Sequence, residues 1–273
     1  MSCLVPKNYS IISIATRSII SKRYKTVTKA INREFRGSES ETENSWYVGS
    51  YGRGTAVNTS DIDILVELPL NEYNRYESVV GNGQSRLLQA IRDAIKIPYP
   101  CSDVRADGQV VKITFSDDMK FEILPAFENV DLHGQGAGTY RYPDTNMGGN
   151  WCSTNPKAEQ KAMKQKNISS NGLLYDTCKH FRCIRDKYYS SYHLSGIVID
   201  SFIYAAMGNW RWPIDCELPL AARGDYERVL CDYLKQNTML LFPICLTAPG
   251  SMQPVDTSSS MECLNKVMSY IAE

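Results

Sequence analysis

Two aspartates, two residues apart, are the side chains in this sequence most suited to chemistry. They are Asp61 and Asp63, at the start of an apolar, β-branched run that predicts a strand over 62–68. Because side chains alternate along a strand, both carboxylates lie on one face and the neighbouring isoleucines on the other. Two carboxylates so close repel each other unless a divalent cation lies between them. The pair therefore predicts a metal site.

Glu122 is the candidate third ligand. It alternates with Phe121 and Ile123 in a second predicted strand over 120–127. Two-metal sites hold their ions roughly 3.5–4 Å apart and bridge the attacking and leaving oxygens of a phosphoryl displacement. Such sites generally use a third carboxylate from a neighbouring strand. The sequence thus predicts a catalytic, metal-ligating trio of Asp61, Asp63 and Glu122.

A glycine-rich stretch over 48–54 precedes the two aspartates. Gly49 before a helical turn lets backbone amides approach a phosphate closely, and Ser50 adds a hydroxyl donor. The implied substrate is a nucleoside triphosphate carrying magnesium. A plain glycine turn or a solvated strand edge explains either feature alone. The combination with a later acid between apolar residues favours catalysis.

The elements around these residues fall into two halves. The first half predicts a helix over 10–35, strands over 46–48 and 62–68, a helix over 75–97, a hairpin over 111–127, and a long loop over 129–154. The second half predicts helices over 157–167, 173–189, 195–207, 220–236 and 260–271. The pattern indicates an α+β protein with a mixed sheet followed by a helical part.

Composition narrows the function further. Thirty basic residues face thirty acidic ones, so the chain lacks the net positive field of a dedicated duplex-nucleic-acid binder. Nine scattered cysteines without a CxxC pair argue against a zinc ribbon or a thioredoxin-like site. The most apolar stretch, 194–207, is too short to span a bilayer, and no signal peptide is visible. We expect a cytoplasmic protein that does not bind membranes.

Larger pieces of the sequence resemble a known family. Gly49-Ser50, ten intervening residues and then Asp61-Ile62-Asp63 resemble the signature of the DNA polymerase β-like nucleotidyltransferase superfamily. Three segments of the sequence resemble the bacterial CD-NTases: GSYGRGTAVNTSDIDILVEL, the later FEILPAF, and residues 151–157. These are relatives of cyclic GMP-AMP synthase and oligoadenylate synthase, and they make cyclic oligonucleotide signals in anti-phage defence (CBASS).

The resemblance implies a fold and a function. The implied fold is that of a polymerase β-like nucleotidyltransferase. Its catalytic core covers residues 1–155 and includes the long N-terminal helix. A helical lobe follows over 156–273, with the active site in the cleft. The implied activity is synthesis of a cyclic second messenger from nucleoside triphosphates, ATP and GTP among them, using two Mg²⁺ ions with Mn²⁺ as a substitute. We expect a monomer that needs no nucleic acid and acts on a downstream effector through its product.

The resemblance also implies residue roles. Asp61, Asp63 and Glu122 would ligate the two Mg²⁺ ions, and Ser50, with Gly49, would hold the triphosphate. Lys179 resembles the family's helical lysine that reaches the phosphates, and Ser195 resembles its serine partner. The alternative for Lys179 is a solvated helix face. For Ser195 it is a helix cap.

The sequence departs from the family in two places. Glu122 stands where the family usually has aspartate, and Gly196, after Ser195, stands where an aromatic residue often stacks on the base. The longer side chain of Glu122 still permits ligation but shifts its geometry.

Two other functions are compatible with the same residues. One is a nucleotidyltransferase acting on an RNA end, a small molecule or a protein, for which linear tails on added RNA would be the sign. The other is a nucleotide-binding regulatory module without catalysis, which would bind nucleotide without turnover.

Overall fold

The computed structural model describes residues 4–9, 12–130, 136–214, 221–238 and 244–272. These residues form two compact units. The sheet unit comprises residues 13–52 and 61–156. The helical unit comprises the described parts of 1–12, 53–60 and 157–273. Residues 53–60, from the end of the glycine-rich stretch to the residue before Asp61, therefore belong to the helical unit.

The sheet unit contains four helices, seven strands and a short 3₁₀ turn among its described residues. In chain order they are α1 (Ile14–Arg36), β1 (Ser45–Tyr47), α2 (Gly49–Gly52), β2 (Ile62–Glu67), α3 (Leu70–Glu77), α4 (Gly83–Lys96), β3 (Asp103–Asp107), β4 (Val110–Thr114), β5 (Lys120–Val130), β6 (Gly136–Asp144), the 3₁₀ turn (Asn146–Gly148) and β7 (Asn150–Thr154).

The strands form one mixed sheet. Five of them run in the order β1-β2-β5-β4-β3, while β6 pairs with β5 and β7 pairs with β6. Only the β2–β5 pair is parallel among these strands. The mixed sheet and the hairpin of β4 and β5 confirm the sequence prediction.

Helix α1 packs its apolar stripe into the same core as the sheet. Tyr24, Val27 and Ile31 recur at three- and four-residue spacing and are buried with the inward residues of β2, β4 and β5. Ser13 caps the start, where its side chain accepts from the Thr16 amide, and Gly37 ends the helix in the left-handed region.

The helical unit contains five helices and a two-stranded ribbon among its described residues. They are α5 (Pro156–Ser169), α6 (Leu173–Tyr188), α7 (Gly196–Ala206), α8 (Asp225–Thr238), β8 (Leu246–Thr247), β9 (Pro254–Val255) and α9 (Met261–Ala272). Helices α6 and α7 contribute several fully buried side chains to its core, among them Phe181 and Phe202. The helical second half is confirmed. No helix in the described parts of the chain is both long and apolar enough to cross a membrane.

Two sequence predictions were wrong. The single helix predicted over 75–97 is two helices, α3 and α4, because Gly81 adopts a left-handed conformation and Asn82 caps a new start. The long loop predicted over 129–154 contains strands β6 and β7. Within it, residues 131–135 lie outside the described part of the chain.

Candidate active site

Two of the three predicted acids lie side by side. In the parallel β2–β5 pair, Asp63 is in register with Glu122. Residues paired in register point to the same face of a sheet, so both carboxylates lie on one face, on adjacent strands. Their neighbours Ile62, Ile64 and Phe121 are buried on the other face, with exposures of 2%, 0% and 0%. The apolar residues thus fix which way the acids point.

Asp61 enters this region from outside the strand. It lies one residue before the start of β2 and is exposed, whereas Asp63 and Glu122 are half-buried. The hydrogen-bonded register of β2 with β5 positions Asp63 and Glu122. Asp61 depends on the chain that precedes it.

The glycine-rich turn lies directly against Asp63. Gly49 begins the four-residue helix α2 with φ at 56°, in the left-handed region. A Cβ atom at this position would overlap the Asp63 carboxyl group. The Val48 amide also donates to the Asp63 carbonyl oxygen at 2.9 Å. Only glycine allows the turn that presents Ser50 to approach the acid this closely.

Three tyrosine rings in contact with one another connect the turn to helix α1. The Tyr51 ring on α2 lies 4.7 Å from the Tyr47 ring, which lies 4.5 Å from the Tyr24 ring on α1. The Tyr24 hydroxyl donates to the Ser45 carbonyl oxygen at 2.8 Å. Burial raises the pKa of Tyr47 above its ordinary value. The turn is thereby anchored to the longest helix of the sheet unit.

One basic residue on the same face was not predicted. Lys112 is the register partner of Glu122 in the antiparallel β4–β5 pair, and its Nζ lies 3.5 Å from Glu122 Oε1. The same Nζ lies 2.7 Å from Asp107 Oδ2. The hydrogen bond to Asp107 raises the pKa of Lys112. The predicted hairpin held the signal, because Lys112 alternates with Val111 and Ile113 opposite Glu122.

The acids suit magnesium in kind and position. No group of three histidine, cysteine or acidic side chains within the described ranges forms a ready-made metal site. Mg²⁺ prefers oxygen ligands and is commonly held by one or two carboxylates together with substrate phosphates. Asp63 and Glu122 supply two such carboxylates on one face, so these residues fit the ion.

Lys179 and Ser195 belong to the helical unit. Lys179 is half-buried on α6, between two fully buried neighbours. The Ser195 hydroxyl accepts from the Val198 amide at 3.4 Å and caps α7, as the structural alternative predicted. Their roles toward a nucleotide stay predictions.

The glycine after Ser195 has a structural reason. The Gly196 carbonyl oxygen accepts from Arg182 Nη2 at 2.9 Å, and a Cβ at Gly196 would lie 3.0 Å from that nitrogen. A larger residue here would press on the Arg182 guanidinium.

The helical unit contains a second group of acids, which sequence reasoning missed. Asp200 is fully buried and accepts from Arg182 Nη1 at 2.7 Å, from Arg53 Nε at 2.9 Å and from Thr55 Oγ1 at 3.0 Å. Arg53 Nη1 also donates to Glu159 Oε2 at 3.0 Å. We call Arg53, Glu159, Arg182 and Asp200 the buried ion network.

The pKa values of the two acids of the buried ion network are shifted in opposite directions. Burial opposes the charged form of Asp200, but the positive charges of Arg182 and Arg53 outweigh it and lower its pKa. At Glu159 burial dominates over the attraction of Arg53, so its pKa is raised. Asp200 is therefore the firmly ionised member.

Comparison with known proteins adds two findings. A family profile described as "Second Messenger Oligonucleotide or Dinucleotide Synthetase domain" matches residues 7–167, more than half of the chain. A comparison with curated protein sequences finds no match.

Several solved structures share the fold. The CdnE cyclic dinucleotide synthase of Elizabethkingia meningoseptica, solved with GTP and Apcpp, has a TM-score of 0.60 and 14% identity, covering 93% of this chain and 89% of its own. CdnG of Bradyrhizobium diazoefficiens, in complex with GTP, has a TM-score of 0.62 and 13% identity, covering 95% and 84%. The Vibrio cholerae cyclic AMP-GMP synthase has a TM-score of 0.57 and 12% identity, covering 93% and 81%. At such identities the likeness establishes the fold alone, an α/β fold built on a mixed sheet.

Proposed function

We propose a specific reaction for this chain on one premise: it belongs to the Second Messenger Oligonucleotide or Dinucleotide Synthetase family. The chain is a nucleotidyltransferase that makes a cyclic oligonucleotide from nucleoside triphosphates. A ribose hydroxyl of one nucleotide attacks the α-phosphorus of another and displaces pyrophosphate. A second transfer within the product closes the ring.

The observation that carries this proposal is the register of Asp63 with Glu122 beside the Gly49 turn. Two carboxylates on one face support a divalent-cation site, and the adjoining turn supports the proposal that Ser50 binds the phosphates of the donor. Asp63 and Glu122 would hold Mg²⁺ there, and the bound ion would lower the pKa of the attacking hydroxyl and offset charge on the leaving pyrophosphate. In this proposal Asp63, Glu122 and Ser50 hold the attacking ribose oxygen and the donor triphosphate in position for the displacement.

Each further residue has a proposed task. Asp61 would be the third ligand, and together the three acids would hold two Mg²⁺ ions, with Mn²⁺ able to substitute. Ser50 donates to the triphosphate, Lys179 offsets negative charge on its phosphates, and Ser195 assists Lys179 in addition to capping α7. Replacing Lys179 with alanine tests this task. Loss of a phosphate ligand should raise the KM for the nucleotide, whereas loss of a solvated lysine should leave the KM unchanged.

The wider setting follows from the same reaction. Its substrates are nucleoside triphosphates, ATP and GTP among them. We propose a cytoplasmic monomer that works without nucleic acid and whose product activates a separate effector in anti-phage defence. Light scattering on the purified protein tests whether it is a monomer. Pyrophosphate release measured with and without added RNA and DNA tests whether the reaction works without nucleic acid.

The decisive experiment analyses the products directly. Purified protein is incubated with the four nucleoside triphosphates and Mg²⁺, and the products are identified by mass spectrometry. We expect a cyclic product in the wild type, and none with Asp61→Ala or Asp63→Ala although both variants keep the wild-type circular dichroism spectrum. Linear tails on added RNA, without any cyclic species, would contradict the proposal and identify an RNA-end enzyme.

A further inference from the structure

A row of charged residues crosses four strands on the face that bears the two acids. The register places Asp63 of β2 beside Glu122 of β5, Glu122 beside Lys112 of β4, and Lys112 beside Arg105 of β3. Directly paired residues share a face, so the row reads acid, acid, lysine, arginine. A positively charged pair thus adjoins the negatively charged pair.

Lys112 lies between two carboxylates, whereas Arg105 is paired with a single carboxylate. The Lys112 Nζ is 2.7 Å from Asp107 and 3.5 Å from Glu122. The Arg105 Nε is 2.8 Å from Asp103 on the same strand. Lysine carries a compact charge on a flexible four-carbon stem, so small rotations move the ammonium group from one acid to the other.

We propose that Lys112 is a positioning residue that competes with the divalent cation for Glu122. Without metal, its ammonium group offsets the repulsion between Glu122 and Asp63. When the cation binds, the ammonium group moves fully to Asp107. This inference rests on the proposed function, because it takes Glu122 as a metal ligand.

The effect of this competition on the metal affinity can be predicted in size. The Lys112 side chain is 47% exposed and that of Glu122 29% exposed, so water screens their attraction. Pairs of this kind alter an equilibrium by a factor of about two to five. Removing the lysine charge should therefore tighten metal binding by about that factor, and removing the Asp107 charge should weaken it.

The test measures metal binding to the protein without nucleotide. Metal-free protein is titrated with Mn²⁺ while the electron paramagnetic resonance signal reports the free ion. We expect Lys112→Met to bind Mn²⁺ about two- to fivefold more tightly than the wild type, and Lys112→Arg to stay close to the wild type. Asp107→Asn should bind it more weakly, because the ammonium group then rests on Glu122 alone.

Arg105→Met is the matched control. It removes the same charge from the same face one strand further away, and it should change the Mn²⁺ affinity by less than Lys112→Met does. Unchanged or weaker binding by Lys112→Met would overturn the inference, as would an equal gain in Arg105→Met.

A further variant separates this inference from the proposed function. Asp63→Asn should lose most of the Mn²⁺ affinity. If it does so while Lys112→Met behaves as wild type, only the role of Lys112 fails. If Asp63→Asn binds Mn²⁺ as well as the wild type does, the metal does not lie at these acids and both proposals fail.

Discussion

The protein contains two groups of acids that differ in what surrounds them. In the helical unit, Asp200 is fully buried and receives three hydrogen bonds, two of them from arginines. In the sheet unit, Asp63 and Glu122 are half-buried neighbours on one face, and the Lys112 ammonium group lies 3.5 Å from Glu122 and 2.7 Å from Asp107. One group has fixed positive partners, and the other has a partner that can leave.

The two groups contrast a carboxylate whose charge is compensated in the interior with carboxylates for which we propose a catalytic role. A buried carboxylate must keep its charge compensated, because an uncompensated charge in the interior is costly. A catalytic carboxylate must keep ligand sites open for a cation and a substrate. Substitutions that remove only the charge should therefore reduce stability in the first group and activity in the second.

The largest expected loss of stability is at Asp200. Asp200→Asn leaves Arg53 and Arg182 facing a neutral amide in the interior, and we expect it to lower the free energy of unfolding by about 3–5 kcal/mol. Urea unfolding followed by circular dichroism measures the loss. Glu159→Gln is the internal comparison, and it should cost less because burial already disfavours its charge. Equal losses in the two variants would contradict the assignment of Asp200 as the firmly ionised acid of the buried ion network.

Acidification provides a check on this first prediction. The Asp200 pKa is lower in the folded protein than in the unfolded chain, where it is about 3.9. Its contribution to stability is therefore present above about pH 4 and is lost as the pH falls through the folded value. The stability difference between wild type and Asp200→Asn should shrink as the pH is lowered from 5 toward 3. A difference that stays constant over this range would exclude the charge as its origin.

The contrast between the two groups also explains how much the sequence could predict. The acids of the sheet unit were predictable because strand alternation and the Gly49 turn are local patterns. The buried ion network joins Arg53 to Asp200, 147 residues apart, and no local pattern contains that pairing. Asp200 was visible only as a charge within an apolar run.

The missed strands β6 and β7 have a similar cause. Five glycines interrupt the residues over 129–154, and the alternation of buried and exposed side chains becomes clear only when the partner strands are known. Tyr140 is fully buried in a small cluster with Leu65 and Ala126, whereas the next residue, Arg141, is exposed. The break between α3 and α4 was missed because it depends on the backbone conformation of Gly81 and on the Asn82 cap.

A smaller loss of stability is expected where the turn meets the sheet acids. Gly49→Ala combines left-handed backbone strain with overlap of the new Cβ and the Asp63 carboxyl group, and it should cost about 2–3 kcal/mol together with most of the activity. Gly37→Ala is the matched control, because it has φ at 62° and open space around its Cβ. It should cost about 1 kcal/mol and leave product formation unchanged. Thermal unfolding and the mass-spectrometric product assay measure the two effects. If the two variants behave alike, the close approach to Asp63 is not what requires glycine.

The smallest change in stability is expected at Glu122, where the comparison is sharpest. Glu122→Gln removes one negative charge and keeps the shape of the side chain, as Asp200→Asn does. Because Glu122 is half-buried and its lysine partner retains Asp107, the free energy of unfolding should change by no more than about 0.5 kcal/mol. Product formation should nevertheless fall at least a hundredfold, which corresponds to about 2.7 kcal/mol of lost transition-state stabilisation. Urea unfolding and initial rates of pyrophosphate release give the two values on the same preparation. A Glu122→Gln protein that unfolds as easily as Asp200→Asn, or that keeps its rate, would mean that Glu122 belongs with the structural acids and that its exposure has no catalytic purpose.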